Sequence, residues 1–215
     1  MESIKSLFTA NLPINHKAAL FILYVLFFFS GCSALIYQII WQRMLYIVFG
    51  IDLASITIII SVFMFGLGLG GLCGGYIADK FPSRLLQTYI IIEIAIAIFG
   101  YLSPVMFETL GNILFSGNEF MTGVSSFILL AIPTLLMGAT FPILVTHVNT
   151  FYQHIGRTVG SLYFSNTLGG ALGAYFTGFI LLYNLDTAEV IDCAAFLNLT
   201  ISIVALIFFR KAKSC

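Results

Sequence analysis

The chain has 215 residues, of which 60% are hydrophobic and only 8% charged, with nine Lys and Arg balancing nine Asp and Glu. Ordinary globular domains run at about 45–50% apolar and about 25% charged, and a small soluble fold keeps too much surface wet to hide such an excess. A soluble enzyme, a nucleic-acid binder and a disordered protein are all excluded, and the lipid bilayer is the expected environment.

A stretch of roughly 20 apolar residues crosses the hydrocarbon core as a helix. Six such stretches occur in chain order: residues 18–40, 53–77, 85–107, 121–145, 158–182 and 188–209. The ten-residue alternation that a barrel requires is missing. The sequence predicts an all-α polytopic membrane protein, a single six-helix domain with no convincing internal repeat. Eight basic residues (Lys5, Lys17, Lys80, Arg84, Arg157, Arg210, Lys211 and Lys213) fall on one side of this layout and only Arg43 on the other. The excess of Lys and Arg marks the cytoplasmic face, so both termini are expected there. Asp52, Glu108, Glu119, Asp186, Glu189 and Asp192 make the outer face acidic.

The first stretch contains Phe29-Ser30-Gly31-Cys32, which looks like a lipoprotein cleavage box, but its hydrophobicity continues to Ile40 and gives a full span instead of a short signal core. Beyond it, Arg43 follows Trp41 and Gln42. It is read either as an interfacial anchor or as half of an ion-pair latch to Asp52 or another outer carboxylate.

In the second stretch Gly66, Gly70 and Gly74 recur every four residues and share one helix face, where a second helix can approach closely. That face suits static packing or a sliding contact. The literal GxGxxG at Gly66, Gly68 and Gly71 lacks the strand and βαβ unit of a dinucleotide site. Asp79, Lys80 and Arg84 form the short loop that follows, read as inner-face anchoring or as gating contacts.

Glu93 stands eight residues into the third stretch, about 12 Å deep at 1.5 Å per residue. A carboxylate there costs several kcal/mol unless it is protonated, paired or facing water. It is a candidate proton- or cation-coupling group. The competing assignment is a neutral Glu bonded to a neighbouring helix, for instance near Asn166 or a Tyr hydroxyl. Pro133 and Pro142 fall within the fourth stretch and favour kinks. The fifth repeats the small-residue theme, with Gly169 and Gly173 as a packing pair and Asn166 as interhelical glue or a solute contact. Asn198-Leu199-Thr200 fits a glycosylation sequon but lies within the sixth stretch. The four cysteines have no metal or redox spacing; no metal, cofactor or nucleic acid is expected.

Two resemblances rest on these segments. Gly75-Tyr76-Ile77-Ala78-Asp79-Lys80-Phe81-Pro82-Ser83-Arg84 resembles the signature loop of the major facilitator superfamily, departing from it at Pro82 and Ser83. More of the chain resembles the membrane region of fused, transporter-like spermidine synthases. The segments are Ser30–Arg43 with Tyr37, Gln38 and Trp41, then Tyr89–Glu93, Leu136–Pro142 and Gly160–Gly170. Gln38 stands where that family usually has Glu. The resemblance implies one half of a facilitator-type fold without the aminopropyltransferase domain, hence no enzyme activity of its own. It implies a half-transporter in a bacterial inner membrane, moving a small solute such as a polyamine or related cation. Glu93, Asn166, Tyr37 and Gln38 would be the contacts, and a homodimer or a pairing with another membrane half the assembly. The alternative is a non-transporting subunit that docks a separately encoded aminopropyltransferase.

Overall fold

The computed structural model describes residues 16–49, 53–114, 119–152 and 154–211, and among them every extended element is a helix. The helices are α1 (His16–Phe49), α2 (Leu53–Lys80), α3 (Leu85–Leu114), α4 (Glu119–Tyr152), α5 (Ile155–Phe176) and α6 (Thr187–Lys211). Five of them, all but α5, are long and apolar enough to cross a membrane. Helix α5 occupies the fifth predicted stretch, but Gly, Ser, Asn and Thr dilute its apolar content. It continues through a π-helical turn, Thr177–Leu181, into Leu182–Asn184 and stops where Leu185 turns extended.

Local chemistry sets several of the ends. Pro82 opens the 3-10 turn Pro82–Arg84 between α2 and α3, a position where its missing N–H is no loss. Before α6, the backbone N–H of Asp186 donates to the Glu189 carboxylate at 2.8 Å, which satisfies a donor that the helix start would otherwise leave open. Pro104 lies within α3, and Pro133 and Pro142 within the single helix α4.

The closest packing follows the glycines. A Cβ on Gly66, Gly70 or Gly74 would collide with α4, at Thr134, Leu135 and Ala139 respectively. On α5, one on Gly169 or Gly173 would collide with the α1 backbone at Phe28 and Cys32. Contacts advance together along each pair, so α2 runs parallel to α4 and α1 to α5. These are also the two most extensive interfaces in the bundle.

The two interfaces are copies of one another. Gly31 of α1 meets the carbonyl oxygen of Asn166, and Gly138 of α4 meets that of Leu67. Gly169 meets the Phe28 carbonyl oxygen and Gly70 that of Leu135; Gly173 meets the Cys32 carbonyl oxygen and Gly74 that of Ala139. Residues 28, 31 and 32 thus become 135, 138 and 139, a shift of 107, while 67, 70 and 74 become 166, 169 and 173, a shift of 99. Side-chain bonds obey the same rule: Ser33 Oγ donates to the Ser30 carbonyl and Thr140 Oγ1 to the Met137 carbonyl.

Helices α3 and α6 correspond with a shift of 105. Buried Leu85, Tyr89, Ile90, Glu93, Ile96 and Ala97 match buried Val190, Ala194, Ala195, Asn198, Ile201 and Ser202, and exposed Ile91, Ile94 and Ile98 match exposed Phe196, Leu199 and Ile203. Units α1–α3 and α4–α6 are therefore one three-helix design used twice. Corresponding helices run in opposite directions: Phe27, early in α1, stacks on Phe141, late in α4. No repeat was expected from the sequence, yet Leu69-Gly70-Gly71 with Gly74 and Tyr76 recurs as Leu168-Gly169-Gly170 with Gly173 and Tyr175.

Gly70 and Gly71 separate packing from propensity. Gly70→Ala places its methyl against the Leu135 backbone, which cannot rotate away, and should cost about 1–3 kcal/mol of overpacking. Gly71 has open space, so Gly71→Ala should be neutral or stabilising by up to about 1 kcal/mol. Thermal unfolding of the two variants in detergent checks the contrast.

A buried carboxylate held by three helices

Glu93 lies on the inward face of α3 and is completely buried. Ser30 of α1 donates from Oγ to one carboxylate oxygen at 2.7 Å, and Asn198 of α6 donates from Nδ2 to the other at 2.5 Å. The groups that act on it are Ser30, Tyr89 and Asn198, all of them neutral. One turn earlier on α3, the Tyr89 hydroxyl lies beside Glu93 and Ser30 but closes no hydrogen bond of accepted geometry. The other atom of the Asn198 amide, Oδ1, is also buried without a partner. Glu93 and Asn198 occupy equivalent positions in the two repeats, so their contact sits on the axis that relates the halves.

The face of α1 that carries Ser30 goes on to Tyr37 and Trp41. Their rings stack with centroids 5.0 Å apart, and Gly100 of α3 is the bare backbone against which the Tyr37 ring packs. Trp41 donates from Nε1 to Ser103 Oγ at 2.9 Å, and Ser103 donates to the Gly100 carbonyl at 2.7 Å. Trp41 is wholly buried, two residues before the exposed Arg43 that the sequence reading offers as an interfacial anchor.

The four candidate contacts do not converge. Glu93 and Tyr37 lie on the α3 and α6 side of α1. Asn166 of α5 lies against Gly31, about 100° round α1 from Ser30, and Gln38 shares the Gly31 face by helical register. Asn166 and Gln38 are half-buried. An adjacent bond, Ser165 Oγ to the Tyr24 carbonyl at 2.7 Å, ties α5 to α1.

The candidate latch groups are peripheral. Asp79, Lys80, Arg84 and Arg43 are exposed, and Lys80 lies over the rings of Tyr76 and Phe81, 5.5 and 5.7 Å from their centroids. Asp52, the proposed partner of Arg43, falls outside the described residues.

Sequence reasoning singled out Glu93 and offered Asn166 or a Tyr hydroxyl as its neighbour, but passed over Asn198 as a buried sequon; the hydroxyl of Tyr89 is beside it and Asn166 is not among its partners. The available signal was periodicity: Asn198 is the polar residue on the inward face of α6, as Glu93 is on α3. No family model, curated protein or solved structure matches this chain.

A double-mutant cycle measures the pairing. Asn198→Leu leaves the carboxylate with a single donor and should cost about 1–3 kcal/mol, whereas replacing both partners by apolar residues is often nearly neutral. Asn198→Leu with Glu93→Leu should therefore be more stable than Asn198→Leu alone. Chemical unfolding in mixed micelles reads the difference.

Proposed function

We propose that this chain is one half of a facilitator-type membrane transporter. It would have six spans with both termini cytoplasmic, and assemble as a homodimer or with a related six-helix half in a bacterial inner membrane. The observation that carries the reading is the inverted repeat. Many transporter folds are built from units of inverted topology whose substrate and ion sites lie near the midplane between them, and here the one fully buried carboxylate among the described residues lies where the two units meet.

Glu93 then serves as the coupling group, exchanging a proton or cation as the bundle changes shape. Its three-helix coordination supports this role, because a change in occupancy alters bonds to α1 and α6 together. The absence of a lysine or arginine among its partners supports it as well, since a fixed cation would compete with an exchangeable one. A polyamine or related cation is the solute class that the resemblance suggests.

Native mass determination of the complex, gently extracted with every component identified, should give a homodimer or a pair of six-helix chains. A stoichiometric soluble enzyme would instead establish a docking subunit. In proteoliposomes of the assembled complex, Glu93→Gln should abolish ion-coupled uptake of the solute, and unchanged uptake would remove Glu93 from the mechanism.

A further inference from the structure

We propose that the seam between α1 and α3, from Ser30 and Glu93 to Trp41 and Ser103, is a gate. It opens to water at the end of the bundle where both helices finish, and the charge on Glu93 sets its position. The inference deepens the coupling role given to Glu93 above, and rests on that reading for what the opening accomplishes.

The first ground is the kind of contact. Ser30 donates to Glu93, the Tyr37 ring packs on Gly100, and Trp41 donates to Ser103. The three pairs keep an almost constant register along the two helices, so they form one continuous seam. Helix α1 is fastened mainly to α5 and α6, and α3 mainly to α6 and α4; α1 and α3 share little packing with each other. What joins them is two hydrogen bonds and an aromatic ring laid against a bare glycine. Parting there leaves the main interfaces intact, and the polar groups released exchange one another for water.

The second ground is a hydroxyl that closure leaves dry. Tyr37 is wholly buried and its hydroxyl has no hydrogen-bond partner. Such a group loses its hydration and gains nothing in return, so closure is opposed at this point and water would relieve it. The charged groups that act on this hydroxyl are Glu93 inside the bundle and Asp192, exposed near the start of α6. It is thus in range of both the buried carboxylate and the surface.

The third ground is the course of polarity along the seam. In the turns before Ser30 the same face of α1 carries Leu23 and Leu26, both buried, so the opposite end is sealed by apolar side chains. In the second unit, the positions equivalent to Ser30, Tyr37 and Trp41 are Met137, Leu144 and Val148, which gain nothing from water. The gate belongs to the first unit alone.

Charge supplies the drive. The groups acting on Glu93 are the neutral Ser30 of α1, Tyr89 of α3 and Asn198 of α6, with none from α4 among the described residues. An ionised carboxylate in a dry bundle without a cation is strongly disfavoured. The neutral form therefore suits the closed seam, and loss of the proton favours the admission of water. Asp192 already meets water when the seam is closed.

Trp41 is the single tryptophan of the chain, so its fluorescence reports on the seam without a label. The full-length protein in lipid nanodiscs is titrated from acid to alkaline pH with acrylamide as quencher. At low pH the emission should be blue and protected; as pH rises it should shift to the red and become quenchable. Glu93→Gln, neutral at every pH, should keep Trp41 protected throughout. Gly100→Ala sets a methyl against the Tyr37 ring and should wedge the seam, making Trp41 quenchable even at low pH. The gate is overturned if Trp41 of the parent stays protected across the range, or if Glu93→Gln responds to pH as the parent does. Flux through the reconstituted complex with a permanently protected Trp41 would discard the gate and keep the transporter reading. A Glu93-dependent opening in a complex that carries no flux would support the gate and remove that reading.

Discussion

Close approach of helix backbones at glycine is the constraint on which the rest of this structure depends. Without a solvent that drives apolar side chains together, helices in lipid associate through packing and interhelical hydrogen bonds. Packing is closest where no side chain intervenes. Gly70 and Gly74 set the α2–α4 register, as Gly169 and Gly173 set that of α1 and α5. Once α5 lies in the groove beside Gly31, the next face of α1 can point only towards α3 and α6. That face carries Ser30, Tyr37 and Trp41 and brings Ser30 to Glu93.

The polar groups in the interior are arranged by the same economy. Ser33, Thr134, Thr140, Thr177 and Ser202 turn their hydroxyls back onto carbonyls of their own helices, which satisfies them wherever the helix is placed. The bonds that cross between helices are far more selective. Ser30 and Asn198 with Glu93, and Trp41 with Ser103, connect residues more than 60 positions apart in sequence. Breaking one orphans its partner, so these bonds define a single arrangement of α1, α3 and α6.

What the sequence disclosed follows from the range of each interaction. Helices are local, and runs of about 20 apolar residues revealed them. The spacing of Gly66, Gly70 and Gly74 is local too, and so was the anomaly of a carboxylate in an apolar run. The identity of partners is not local. Asn166 and Asn198 look equally suitable from one chain, and only the register of α3 against α6 chooses Asn198. Nothing local in the sequence around Trp41 shows that its N–H will meet Ser103, 62 residues on. The repeat was obscured because its three helices are displaced by different intervals, and its shared residues are mostly glycines, which are common throughout an apolar chain.

The pairing of α1 with α5 and of α2 with α4 also makes the two units depend on one another. Neither glycine groove in the first half is filled by a neighbour in sequence: α2 waits for α4, and α1 waits for α5. Glu93 acquires its second donor only when α6, the last helix of the bundle, is in place. The first three helices share few of the bundle's contacts with one another, and the polar centre they contribute is completed only by α6. The closest helix packing and the polar centre both lie between the two units, so neither unit completes them alone.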